Sequence, residues 1–174
     1  DAHHLGNEME ECLSQLTDKN EGGLKALLDL KKTGKIKATG IGCNVFEFKT
    51  LEICKRVFEA ARLLEDMEGN HFKALDYVLC AGAFNLLNQE ALDELMPLCK
   101  KYNLSLIVGA PYGGNGAILA RGVKHNYTEN HEYMYSRAPH DIVKKVLAIE
   151  EVCENRGVSL GAAALQFPLL HPLV

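Results

Sequence analysis

No stretch of this chain approaches the roughly 20 consecutive apolar residues a membrane-crossing helix requires, so no membrane partner is expected. No excess of positive charge is present either. The net charge is −4 and the pI about 6.0, which gives no electrostatic pull toward nucleic acid or an anionic bilayer. The six cysteines (Cys12, Cys43, Cys54, Cys80, Cys99 and Cys153) contain no Cys-x-x-Cys pair, which argues against zinc or dithiol redox chemistry. No low-complexity tract occurs, and no signal-peptide pattern opens the chain at Asp1-Ala2-His3-His4. The cysteines fall on apolar faces and read as small hydrophobes, reduced in a cytoplasmic compartment. His125, His131 and His140 are irregularly spaced and lack the pattern of a metal site, so they read as surface residues and no metal is expected.

What is present is a regular alternation. At 174 residues, 47% hydrophobic and 24% charged, the chain has the length and composition of one globular domain. Residues 21–33 carry Leu24, Leu27, Leu28 and Leu30 on good helix formers, and Gly34 supplies a stop. Residues 36–41 read as a short strand and 47–67 as an amphipathic helix with Leu51, Cys54, Phe58 and Ala61 on one face. A strand at 75–80, a helix at 88–102 and a strand at 104–110 follow. The last is apolar almost throughout, which predicts a strand covered on both faces. A long polar loop runs from Pro111 to Pro139, then helices span 140–156 and 159–169, with Ser159 as N-cap. His171-Pro172-Leu173-Val174 looks like the approach to another strand.

This order predicts an α/β fold with a parallel sheet, and three strands are too few to close an eight-stranded barrel. The expectation is a partial (β/α)8 barrel. An open doubly wound sheet fits less well, because no Gly-x-Gly-x-x-Gly follows any strand. In a barrel, groups at the C-terminal ends of strands face the active site. Three such places exist. Asn44 can pair with an amide through its oxygen and NH₂, or can stabilise a turn. The small residues of Cys80-Ala81-Gly82-Ala83 leave room for a close approach, or pack under a helix. Tyr112, beside Pro111, Gly113 and Gly116, can stack on a flat ring or simply pack; Gly113-Gly114-Asn115-Gly116 is only a weak phosphate-binding signal. Lys31, Lys32, Lys144 and Lys145, with the pairs Glu10-Glu11 and Glu150-Glu151, read as ordinary solvated charge.

Several ordered stretches resemble the aldo/keto reductase family. They are Leu27-x-x-Leu30-x-x-x-Gly34-Lys35-Ile36-Lys37-Ala38-Thr39-Gly40-Ile41-Gly42-x-Asn44 and Ala81-Gly82-x-Phe84-Asn85-Leu86-Leu87, then Tyr133-x-Tyr135-x-x-Ala138-Pro139. The longest is Gly157-Val158-x-Leu160-x-Ala162-Ala163-Ala164-Leu165-Gln166-Phe167-Pro168-x-x-His171-Pro172-x-Val174. The resemblance is strongest to the branch of L-galactose and D-threo-aldose dehydrogenases. It implies that residues 1–174 are the C-terminal part of a single barrel domain, from just after strand four to the start of strand eight. It also implies NADP or NAD as cofactor and a small carbonyl or sugar substrate.

The family's catalytic aspartate, tyrosine, lysine and histidine come from the first four strands. The resemblance makes Asp1 the neighbour of that histidine, so no catalytic residue is expected here. It assigns Asn44 to the nicotinamide carboxamide, with Cys43 at a position where many members carry serine. The family's strand-six glutamine falls at Ala81, and its stacking tyrosine falls at Ala110, two residues before Tyr112. Pro111, Tyr112, Gly113 and Gly116 are the expected cofactor loop. Tyr133 and Tyr135 lie where family members carry substrate-facing residues. Two readings follow: part of an NAD(P)-linked dehydrogenase, or a truncated, non-catalytic barrel that acts as a binding module. Either way, the exposed edges of a partial barrel favour self-association.

Overall fold

The computed structural model describes residues 9–44, 48–124 and 131–174; His3, His4, His125 and Asp1 lie outside them. The elements run α1 (Met9–Thr17), α2 (Gly23–Lys32), β1 (Gly40–Asn44), α3 (Phe48–Met67), β2 (Tyr77–Ala81), α4 (Leu95–Lys101) and β3 (Ser105–Gly109). Then come α5 (Ile118–Arg121), β4 (Glu132–Tyr133), β5 (Ser136–Arg137), α6 (His140–Asn155) and α7 (Leu160–Gln166).

β1, β2 and β3 form one sheet in that order. Its direction can be read from the pairing. Ser105 N–H donates to Asp76 O at one end (3.0 Å) and Gly82 N–H donates to Gly109 O at the other (3.1 Å), so β2 and β3 run the same way. The sheet is parallel, as the alternation of elements requires. Further along, Leu106 N–H donates to Leu173 O (2.6 Å), which places the expected last strand entry beside β3.

Two compact units divide the described residues: those among 1–80, 93–107 and 173, and those among 81–92, 108–172 and 174. In the first, α3 supplies Ile53, Cys54, Val57, Phe58, Ala61 and Leu64 to the core, at the three- and four-residue spacing of one helix face. Phe58 is 1% exposed and meets Tyr102 edge-on, with ring centroids 5.6 Å apart. Cys43, Cys54, Cys80 and Cys99 are all buried in this unit, and none forms a disulfide. In the second unit the core gathers Ile118, Leu119, Val146, Leu160 and Ala164 from α5, α6 and α7.

One termination device recurs. After α2, Gly34 N–H donates to Lys31 O and Lys35 N–H to Leu30 O, the paired bonds of a Schellman cap, with Gly34 at φ +73°. The same two bonds close α3 at Gly69, α6 at Gly157 and α4 at Asn103. Only Gly34 was legible as a stop from its position after a leucine stripe. Asn103 fills the left-handed position because its short polar side chain tolerates it. Ser159 caps α7 as expected, its hydroxyl accepting from Ala162 N–H at 3.2 Å.

Several sequence expectations are corrected. The first two strands start later than expected, at Gly40 and Tyr77. The reason is a polar junction: Thr39 O accepts from Asp76 and Tyr77 N–H, while the Asp76 carboxylate accepts from Thr39 N–H (2.8 Å) and from the Lys31 ammonium (2.6 Å). Lys31 is therefore a paired residue and not a free surface charge. The helix expected at 88–102 breaks into a 3₁₀ turn, Glu90–Leu92, and α4. β3 is not covered on both faces. Leu106 is buried, but Ile107 is 45% exposed, as Leu79 on β2 is 39% exposed. Glu150 is not solvated: it is 8% exposed, and one carboxylate oxygen accepts from Val123 N–H (3.0 Å) and Lys124 N–H (3.1 Å).

Candidate functional site

The strand ends carry the candidate residues in two places, Cys43 and Asn44 in the first unit and the other six in the second. β1 ends at Asn44, and neighbouring strand residues point to opposite faces. Cys43 points into the core. Its thiol is 2% exposed and hydrogen-bonded with the Cys54 thiol, which with burial holds its pKa well above the ordinary thiol range. Burial, reinforced by the Cys80 thiol, pushes Cys99 up to about 12. These thiols are protonated and unreactive at neutral pH. Asn44 is half-buried, and its side-chain amide makes no hydrogen bond to any described residue. An amide of this kind offers an acceptor and donors to a ligand amide. The Lys31–Asp76–Thr39 junction sits at the opposite, N-terminal ends of the strands, where polar networks serve stability.

In the second unit the chain leaves β3 through Ala110, a non-glycine residue at φ +55°, and Gly113 N–H closes a turn onto Ala110 O (3.1 Å). Pro111 and Tyr112 form the body of that turn. The Tyr112 ring is half-buried against the Ile118–Leu119 cluster, and its carbonyl accepts from Leu119 N–H at 3.2 Å. Asn85 stabilises the neighbouring strand end. It is fully buried, its side-chain oxygen accepts from Leu87 N–H (2.9 Å) and Asn88 N–H (3.1 Å), and its NH₂ donates to Gly82 O (3.2 Å).

The expected long polar loop of 111–139 contains α5 and a small antiparallel hairpin. Glu132 pairs with Arg137 and Tyr133 with Ser136 across a two-residue turn, Met134-Tyr135. Both turn residues have positive φ, +48° and +67°, at a cost of about 1–2 kcal/mol each for a residue with a Cβ. The hairpin rests on the Gly113–Gly116 run. A Cβ on Gly116 would lie 2.3 Å from Glu132 O, and one on Gly114 would lie 3.0 Å from Met134 N. The Tyr133 ring covers Gly113, and its burial, with Glu90 nearby, holds the phenol above its ordinary pKa, so it stays protonated. Tyr135 is 80% exposed. The sequence drew attention to the glycines and tyrosines but not to Asn115, whose oxygen accepts from Tyr135 N–H (2.8 Å) and whose NH₂ donates to Glu132 (3.2 Å).

Among the described residues no group of three or more His, Cys, Asp or Glu is arranged to hold a metal ion. None of the described helices is long and apolar enough to cross a membrane.

A sheet of parallel strands alternating with helices defines the α/β class of proteins. Within that class the profile of the Aldo/keto reductase family matches residues 13–174. The chain belongs to this family. It is 32% identical over 155 residues to pyridoxal 4-dehydrogenase of Microbacterium luteolum, covering 88% of this chain and 38% of that protein. It is also 32% identical over 149 residues to D-threo-aldose 1-dehydrogenase of a Pseudomonas species, covering 86% of this chain and 39% of that protein. The chain thus spans under two-fifths of the length of each of these relatives.

Proposed function

We propose that residues 1–174 form the C-terminal part of a single (β/α)8 barrel domain, from after strand four to the start of strand eight. The whole would be an NAD(P)-dependent oxidoreductase acting on a sugar or similar small carbonyl compound. The likeness to two proteins named as dehydrogenases supports this reading, and the observation that carries it is Asn44. It is the last residue of β1, half-buried, with an amide that no described residue satisfies. A carboxamide ligand fits that donor and acceptor pair. The bound nicotinamide would supply hydride acceptance or donation. Asn44 would fix which ring face meets the substrate; in the second unit, Pro111, Tyr112, Gly113 and Gly116 would contribute the cofactor loop. Tyr133, protonated and half-buried, and Tyr135, exposed, would offer hydroxyls to a polyol.

The test is absorbance at 340 nm when the natural full-length protein is given NAD⁺ or NADP⁺ with galactose, arabinose or pyridoxal. Reduction that falls at least tenfold in kcat/KM in Asn44→Ala, through the cofactor KM, is the expected result. No reduction with any pairing would overturn the reading. Residues 1–174 alone should be inactive and should self-associate through the open face of Leu79 and Ile107; a monodisperse monomer by light scattering would count against that expectation.

A further inference from the structure

The Met134-Tyr135 turn poses a question of cause. Two-residue hairpin turns with both residues at positive φ ordinarily use Asn-Gly or Asp-Gly, and a hairpin with two residues in each strand does not hold itself together in water. Here two bulky residues occupy the turn, and one of them presents an aromatic ring to solvent. Something outside the hairpin has to hold it.

The hydrogen bonds identify that support. Both turn N–H groups are taken by the loop after β3: Met134 N–H by Gly113 O at 3.1 Å, and Tyr135 N–H by Asn115 Oδ1 at 2.8 Å. The other end of the Asn115 amide donates to Glu132 Oε2 at 3.2 Å. One exposed side chain thus joins the tip of the hairpin to its base. The same loop carries Pro111 and Tyr112. Asn115 suits this task because it has an acceptor and a donor side by side; an aspartate would set a second negative charge against Glu132.

We infer that Asn115 is a positioning residue that fixes Tyr135 for substrate selection by tying the tyrosine hairpin to the Tyr112 loop. The inference rests on the dehydrogenase reading above. On that reading Tyr135 would contact the substrate, and Asn115 would act through it. Both bonds of this amide end on the hairpin, at Tyr135 and Glu132, so substrate affinity depends on Asn115 more than cofactor affinity does.

The experiment uses the natural full-length protein and three variants: Asn115→Ala, Asn115→Asp, and Asn115→Asp combined with Glu132→Gln. The double variant exchanges the two groups, so that a glutamine NH₂ donates to the aspartate while the aspartate still accepts Tyr135 N–H. Steady-state kinetics are measured with galactose, arabinose and pyridoxal, and amide exchange is followed at Met134 and Tyr135.

The two single variants should raise the substrate KM about tenfold, the loss expected for one charge-assisted hydrogen bond, with kcat and the cofactor KM within twofold of wild type. The exchanged pair should return the KM to within about threefold of wild type. Amide protection at Tyr135 should fall and recover in step. Lost protection with an unchanged substrate KM would overturn the inference, as would a fall in kcat alone or failure of the exchanged pair to recover. Absence of activity in the wild type with all three probes would instead overturn the dehydrogenase reading, and amide exchange would then report only that Asn115 holds the hairpin.

Discussion

The two units hold their shape by different means. In the first, a helix face of Ile53, Val57, Phe58 and Leu64 meets strands that carry buried thiols, and the burial of apolar surface is the main stabilising term. The second also has an apolar core, but its candidate segment is a loop and a short hairpin. Its position depends on where backbone atoms sit: glycines that leave space under Glu132 and Met134, and a side-chain amide that satisfies a strained turn. Burial tolerates small changes of shape, whereas close backbone contact tolerates almost none. The unit with the ordinary core should therefore respond globally to mutation, and the loop and hairpin should respond locally.

Phe58→Ala is the largest test of that contrast. Removing a ring that is 1% exposed should cost about 3–5 kcal/mol of unfolding free energy, read by chemical denaturation. Gly116→Ala should cost about 1–3 kcal/mol because its Cβ would collide with Glu132. The contrast predicts that this change shows first as faster amide exchange over 131–138, with the helices of the first unit untouched; a uniform rise in exchange would erase the distinction.

A smaller effect is expected on the alkaline side. The Cys99 thiol moves from 9.0 to about 12 on folding, and Tyr133 is raised as well, so the folded state holds protons that the unfolded state releases. That stabilisation is complete below about pH 9 and is lost as the pH rises toward 12. Melting temperature should fall over that range, and Cys99→Ala should flatten the fall. The smallest effect is a gain. Thr50, in the first turn of α3, is 1% exposed and its hydroxyl has no hydrogen-bond partner among the described residues, so Thr50→Val should stabilise by about 1 kcal/mol in a thermal melt.

The same contrast explains what could be read from the sequence. The helix–strand alternation, the Gly34 stop, the Ser159 cap and the buried cysteines all depend on local pattern, and the structure bears them out. Residues whose role depends on distant partners were misjudged. Lys31 looked solvated because Asp76 is 45 residues away, and Glu150 looked like helix charge because its partner amides belong to Val123 and Lys124. The strand at residue 36 started too early because Ile36 has strand propensity, while the real start is set by the Asp76 junction. The hairpin stayed hidden because Met134-Tyr135 carries none of the usual turn chemistry. Asn44 was legible as a residue just beyond a strand, but the later bounds of β1, which make it the last strand residue, were not.

The hydrogen bond from Leu106 to Leu173 has a consequence for biosynthesis. It joins positions about 70 residues apart, so the chain must close a long loop to form it, and no local signal hastens that closure. On a ribosome adding about 5–20 residues each second, β3 would emerge several seconds before its neighbour, with Ile107 and that edge open to solvent throughout. In that interval the open edge would be available for pairing with a neighbouring copy.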